Sequence, residues 1–237
     1  MGFIDLHSHW IAGIDDGAKS IEAGVAMLRG LKSLGFSTVV ATPHMRPSMF
    51  DNTKEALEAA FARMLPHVTE GCPEVHLSSE HWLDDVVFKR LTNGLALPYP
   101  GGRAALIEWT PEALPLRIEA RLFDVRRKGI VPVVAHPERY QPVWDDDACV
   151  DPWLDVGACL LLDVCSIVGK YGRSAQKAAL KLLEDDAYEA ACTDIHRPDD
   201  LADIERALRK LEDLVGPQER DRLMTAGPQG ILAGQIT

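Results

Sequence analysis

The sequence predicts an α/β fold, read as a closed, distorted (βα)7 barrel, with an open doubly wound sheet as the alternative. Three observations lead there. Seven short apolar runs alternate with stretches of helical periodicity, with no repeat, no low-complexity tract and no linker long enough to divide the chain. The runs are apolar along most of their length, which suits parallel strands covered by helices. Six of the seven end in a His, Asp or Glu, at the carboxyl ends where such folds gather function.

The first strand is Gly2-Phe3-Ile4 with Leu6, and it delivers His7 and His9. Residues two apart on an extended chain point the same way, so both imidazoles can face one site. Gly13-Ile14-Asp15-Asp16-Gly17 is a turn carrying two carboxylates. Ser20 caps a helix with Ala23, Ala26, Met27, Leu31 and Leu34 at helical spacing, stopped by Gly35. Residues 37–42 form a β-branched second strand leading to Pro43-His44, and Thr53 opens a helix running to about residue 67. Residues 73–79 are the third strand, with Glu80 at its end and a helix over 84–91 beyond it. Asn93-Gly94 and residues 98–102 are turn material. Residues 103–109 form the fourth strand, presenting Glu108, and 111–128 read as a helix closed by Gly129. The fifth strand, 130–135, delivers His136-Pro137-Glu138-Arg139-Tyr140. A weakly helical stretch over 146–156 precedes the sixth strand, 158–164, and a helix over 174–185. The seventh strand, 188–193, ends in Asp194-Ile195-His196. A charged amphipathic helix over 199–214 and a short one over 217–225 follow. One domain is expected over residues 1–226, with 227–237 a poorly ordered tail.

Composition narrows the function. The chain has 237 residues and a net charge of -11, from 25 Lys+Arg against 36 Asp+Glu, which argues against a nucleic-acid surface. No apolar run approaches about 20 residues, so no membrane span is expected. The start lacks the basic and apolar regions of a signal peptide. Five cysteines without C-x-x-C spacing read as reduced thiols of a cytoplasmic protein, with Cys159 and Cys192 in the core.

D-L-H-S-H, G-I-D-D-G-A, A-T-P-H, A-H-P-E-R-Y, S-I-V-G-K-Y-G and a late T-D-I-H occur in that order. Together they resemble the PHP (polymerase and histidinol phosphatase) superfamily, and within it the manganese-dependent protein tyrosine phosphatases of bacterial capsule and exopolysaccharide systems. The resemblance runs from Ile4 to about Leu201. It implies a TIM-like barrel of the PHP type holding up to three ions, Mn²⁺ with Fe or Zn as alternatives. By motif, His7, His9, Glu80 and Asp194 would hold the first ion. Glu80 would bridge to a second, completed by Glu108 and His136, and Asp16, His44 and His196 would hold a third. Family members show a short G-x-E-I where this chain reads Ser78-Ser79-Glu80-His81-Trp82, and D-A-H where it reads Asp194-Ile195-His196. The implied partner is a phosphotyrosine protein, the tail of a membrane-associated kinase that controls polysaccharide synthesis.

Mixed imidazole and carboxylate ligands suit Mn, Fe or Zn. Paired ions of this kind acidify a bridging water for attack on phosphorus. His136, Glu80 and Arg139 are the expected catalytic residues, with Arg139 offering a bidentate fork to phosphate and Arg46 and Arg197 as further phosphate binders. Asp16 is preferred to Asp15 as the ligand. His81 is expected at a strand edge, and His67 and His76 on the surface. Trp82 and Trp109 either wall a pocket for an aromatic leaving group or pack the core. Asp163 is either a support to the site or a turn former. The leading function is a phosphotyrosine phosphatase. The alternatives are a small-molecule phosphatase such as a histidinol-phosphate phosphatase, a metal-dependent amidohydrolase, and a metal-stabilised regulatory module without activity. No strand ends in the lysine usual in amidohydrolases, and nine candidate ligands argue against an idle site.

Overall fold

The computed structural model describes residues 2–235. The strands are β1 (Phe3–Asp5), β2 (Phe36–Ala41), β3 (His44–Met45), β4 (Glu74–Leu77), β5 (Glu80–Trp82), β6 (Ala104–Glu108), β7 (Val131–Ala135), β8 (Cys159–Asp163) and β9 (Tyr188–Cys192). They pair in parallel as β1-β2-β4 and as β3-β5-β6-β7-β8-β9. The seven expected strands are all present, but the second and third are each broken in two. Pro43 lacks the N–H that would continue the ladder. The Ser78 and Ser79 hydroxyls donate to the carbonyls of Leu97 and Pro43, at 3.1 and 2.8 Å, where the chain steps between sheets.

The barrel is closed by hydrogen bonds just past β1 and β9, which excludes the open doubly wound alternative. His9 N–H donates to Ile195 O and Asp194 N–H to His7 O, both at 2.9 Å, while Thr42 N–H reaches Ser8 O at 2.8 Å. Asp5 bolts the seam from inside: its carboxylate accepts the Thr193 N–H at 3.0 Å and also the Thr193 hydroxyl.

Alternate residues of each strand face inward. Leu106, Val133, Leu161 and Ala190 fill the barrel with Ile4, Leu6 and Tyr99, while Ile107, Val134, Leu160 and Ala191 pack against the helices. The helices are α1 (Ile21–Ser33), α2 (Lys54–Met64), α3 (Asp85–Thr92), α4 (Ile118–Arg127), α5 (Gln141–Asp145), α6 (Asp151–Asp155), α7 (Arg173–Glu184), α8 (Leu201–Asp221) and α9 (Gly227–Ala233). Ser20, Thr53 and Asp84 cap α1, α2 and α3 through their side chains. Non-helical Gly216, at φ +79, breaks α8 just before Pro217.

Two expectations are corrected. The helix read over 111–128 begins only at Ile118. Pro115 disfavours helical backbone at Leu114, and Arg117 takes a left-handed conformation at φ +58. The tail read from 227 is helical through Ala233, with Ile231 fully buried in the inner barrel cluster. A Cβ on Gly227 would lie 2.0 Å from Glu189 O, so only glycine lets α9 approach so closely. The last two residues of that reading, 236–237, lie outside the described residues.

Candidate metal centre

Nine side chains converge at the carboxyl ends of the strands: His7, His9, Asp16, His44, Glu80, Glu108, His136, Asp194 and His196. They fall into four overlapping groups whose ligand atoms lie within 4.8 Å of one another: His7, His9 and Asp194; His7, Glu80 and His136; His44, Glu80 and Glu108; and His9, Asp16, His44 and His196. Glu80 sits in the middle. Its Oε2 lies 3.1 Å from His7 Nε2 and 3.0 Å from His44 Nδ1, and its Oε1 lies 3.1 Å from His136 Nε2. Glu108 approaches His44 Nδ1 at 3.0 Å, and so groups with His44 rather than with the His136 that the resemblance implies.

The strand ends position these groups through local structure. His44 and Glu80 are register partners on β3 and β5. Glu108 continues the inward face of β6. His136 and Asp194 adopt left-handed backbone conformations, φ +35 and +46, rare for residues other than glycine. Backbone bonds hold both in place, His136 N–H to Leu161 O and Asp194 N–H to His7 O.

The adjacent aspartates divide their work. The Asp15 side chain is buried and its carboxylate lies 2.8 Å from His9 Nδ1, while it also accepts the His44 and Gly17 N–H groups. That contact leaves His9 Nε2 for the cluster. Asp16 is half exposed and meets His44 Nε2 at 3.4 Å and His196 Nε2 at 3.5 Å.

Charge is unevenly spread. Burial alone would lower the His9 imidazole, but Asp15, Asp194 and Glu80 hold it well above its ordinary value. Burial would raise Glu80, yet His7, His44 and His136 hold it well below the usual carboxylate range. Burial, reinforced by Glu80, raises Glu108. Burial, and then Arg139, pushes His136 down to about 4, so its imidazole is neutral. His44 Nδ1, Glu108 Oε1 and Asp194 Oδ1 are buried without a well-formed hydrogen bond. Buried carboxylates crowded with imidazoles in this way, several of the imidazoles holding a proton that a metal would displace, fit divalent cations of the first transition row.

A cavity of about 250 Å³ opens over the cluster, with Arg46, Trp82, Trp109, Pro111, Arg139 and Tyr140 in its walls. A larger hollow of about 670 Å³ lies at the amino ends of β8 and β9. Its polar walls are mainly acidic and contain no imidazole, so the chemistry belongs to the smaller one.

The remaining candidates separate. Arg139 is an ion-pair partner of both Asp194 and Asp163 and stacks on Tyr171 at 4.3 Å. Arg46 lies 3.5 Å above the Trp82 ring with no carboxylate in ion-pair range among the described residues. Arg197 is exposed and does not reach the cavity. His81, expected at a strand edge, is instead fully buried. Its Nδ1 lies 2.7 Å from Leu106 O and its Nε2 accepts the Leu97 N–H, so it faces away from the cluster. His67 is exposed, and His76 is half buried beside Glu74. Trp109 is buried against Tyr140 and Trp153, whereas Trp82 is only half buried. Asp163 is both: it lies under Arg139 as a support, and it accepts the Cys165 N–H to form the turn after β8. Sequence reasoning passed over Asp5 and Glu138, both fully buried. Their only signal was a charged residue inside a motif otherwise read for its histidines.

The family model for capsular polysaccharide synthesis proteins, CpsB/CapC, matches residues 3–233. The chain belongs to the CpsB/CapC family. The tyrosine-protein phosphatase CpsB of Streptococcus pneumoniae is 25% identical over 98% of this chain and 99% of its own length. The tyrosine-protein phosphatase YwqE of Bacillus subtilis is 25% identical over 81% of this chain and 77% of its own. A crystal structure from work on YwqE and CpsB, described as unique metal-dependent tyrosine phosphatases, superposes with a TM-score of 0.88. It is 25% identical and covers 98% of this chain and 95% of that one. The phosphotriesterase homology protein of Escherichia coli, at 14% identity and a TM-score of 0.65 over 98% of both chains, shares the barrel fold alone. In this CpsB/CapC chain no helix among the described residues is long and apolar enough to cross a membrane.

Proposed function

We propose that this CpsB/CapC chain is a metal-dependent protein tyrosine phosphatase. The observation that carries the reading is the overlap of four ligand groups on Glu80 and its neighbours beneath a cavity that also holds two arginines. His7, His9, Glu80 and Asp194 would hold a first ion, Glu80 and Glu108 with His136 or His44 a second, and Asp16, His44 and His196 a third. Mn²⁺ is the ion favoured by so many carboxylates, with Fe or Zn as alternatives. When bound, such ions supply an acidified water and positive charge for the phosphoryl oxygens.

The chain's own residues do the rest. Asp15 fixes the His9 ring. Arg139, already joined to Asp194 and Asp163, braces the metal side of the site and offers phosphate only its remaining N–H donors. Arg46, with no carboxylate in ion-pair range among the described residues, is the arginine we assign to grip the phosphoryl group. A tyrosine phenolate leaves with a pKa of about 10, so the site needs no strong general acid for it. The proposed partner is a phosphotyrosine-bearing protein, in particular the flexible tail of a membrane-associated tyrosine kinase of polysaccharide synthesis. The five free thiols suit the reducing cytoplasm.

The test is hydrolysis of matched phosphotyrosine, phosphoserine and phosphothreonine peptides. Phosphotyrosine should be cleaved much faster, with activity lost in EDTA and restored by Mn²⁺. Equal rates, or a preference for histidinol phosphate, would sink the tyrosine assignment.

A further inference from the structure

The strand register builds the site in two storeys. His44 pairs with Glu80 on β3 and β5, and residues two further along each strand lie on the same face. Those residues are Trp82, the last of β5, and Arg46, the first past β3, about 6.6 Å further on by strand rise. The lower pair belongs to the metal-competent cluster, and the upper pair forms a stack, with the Arg46 guanidinium carbon 3.5 Å from the Trp82 ring centroid.

The supporting loop is well fixed. Arg46 and Phe50 exchange backbone hydrogen bonds at 3.1 and 2.8 Å across a turn in which Ser48 takes φ +70. Phe50 lies parallel to the His44 ring, 5.3 Å away. Both storeys are thus tied to one short hairpin. From β3 to β7 the cavity wall includes Trp82, exposed Pro111 and Trp109, the last stacked on Tyr140. Trp109 and Tyr140 are almost completely buried, which leaves the half-buried Arg46–Trp82 stack as the flat surface of the wall that a ligand can meet. Asp16, Asp194 and His196 make the other side polar.

We infer that Trp82, with Arg46 laid on it, is the specificity-determining platform that selects an aryl phosphate over an alkyl one. This rests on the phosphatase reading above and deepens it. A phosphoryl group held at the lower storey places the phenyl ring of phosphotyrosine at the height of the stack. Stacking leaves the in-plane N–H donors of Arg46 free for the phosphate while its flat face and Trp82 line the ring slot. A serine or threonine phosphate carries no ring to that height and gains nothing there.

The test measures binding, so it does not depend on turnover. Phenylphosphonate and methylphosphonate are titrated calorimetrically into Mn²⁺-loaded protein. The intact protein should bind the phenyl compound at least tenfold tighter, about 1.4 kcal/mol. Trp82→Ala and Trp82→Leu should bring the ratio close to one, and Trp82→Phe should keep most of it. The Leu variant retains apolar bulk, so the test survives if the Ala variant folds poorly. The proposal is overturned by no phenyl preference in the intact protein, by a ratio unchanged in the Ala and Leu variants, or by equal weakening of both ligands. Hydrolysis of a phosphotyrosine peptide by the same preparation separates the two failures. Cleavage with an unchanged ratio defeats the platform alone, and no cleavage defeats the phosphatase reading.

Discussion

Two arginines face the same cavity, and what already surrounds each decides its use. Arg139 spans Asp194 and Asp163, so removing it strands two buried carboxylates. Arg139→Ala should cost about 3 kcal/mol, the usual consequence of breaking a buried pair. In a domain of this size that is roughly 6 to 12 °C in Tm, and metal content should fall with it. The Arg46 side chain stacks on Trp82, has no ion-pair partner among the described residues and lies in the half-buried hairpin. Arg46→Ala should leave metal content and Tm unchanged while kcat/KM falls about tenfold or more, the loss of one charge-assisted contact worth about 1.5 to 3 kcal/mol. Metal analysis, thermal melts and steady-state kinetics on both variants check the contrast. An Arg46→Ala protein with unchanged kcat/KM would move the phosphate grip back to Arg139.

Among the elements, the short turn Pro137–Arg139 after β7 carries more than its length suggests. Glu138 within it is fully buried and accepts the Asp163 N–H at 3.1 Å, the Ser166 hydroxyl at 2.8 Å and the Tyr188 hydroxyl at 3.0 Å. It thereby ties the turn that bears Arg139 to β8, to the turn after β8 and to β9. Glu138→Ala leaves three buried donors unpaired and should destabilise by about 2 to 4 kcal/mol, whereas Glu138→Gln, which keeps a carbonyl acceptor, should cost less. Urea midpoints rank the two, and equal midpoints would remove Glu138 from this role. Helix α9 is the second such element. It covers the base of the barrel with Ile231, so a chain ending at residue 226 should melt several degrees lower, because Ile4 and Val131 lose their cover. An unchanged melt would make α9 dispensable.

For the whole molecule, the seam and the cluster lie at the same end of one closed barrel. The apolar interior has no need of an ion, whereas the carboxylates and imidazoles crowded above it are the groups a bound cation would stabilise. Ions that bind only the folded state stabilise it by mass action, by about 2.7 kcal/mol at a hundred times Kd. EDTA should therefore lower Tm while leaving the far-ultraviolet circular dichroism of the barrel nearly intact, and Mn²⁺ should restore it in a concentration-dependent way. A melt indifferent to both would show that the cluster holds no ion of consequence.

The sequence by itself determined the alternation of strands and helices, the caps at Ser20 and Thr53, and the residues that stand at the strand ends. These are local properties: apolar periodicity and cap chemistry act within a few residues. Only the tertiary structure decided what depends on register and closure. The breaks at Pro43 and at Ser78–Ser79, which let His44 face Glu80, follow from bonds to distant carbonyls rather than from local pattern. The grouping of Glu108 with His44, the engagement of Arg139 by two carboxylates and the stacking of Arg46 on Trp82 are likewise contacts between strands far apart in the chain. The packing of α9 depends on Glu189, and residues 227–233 look loose only when that partner is out of view. A side chain's chemistry is written in its own position, but its charge, partners and exposure are set by whatever the closed barrel brings beside it.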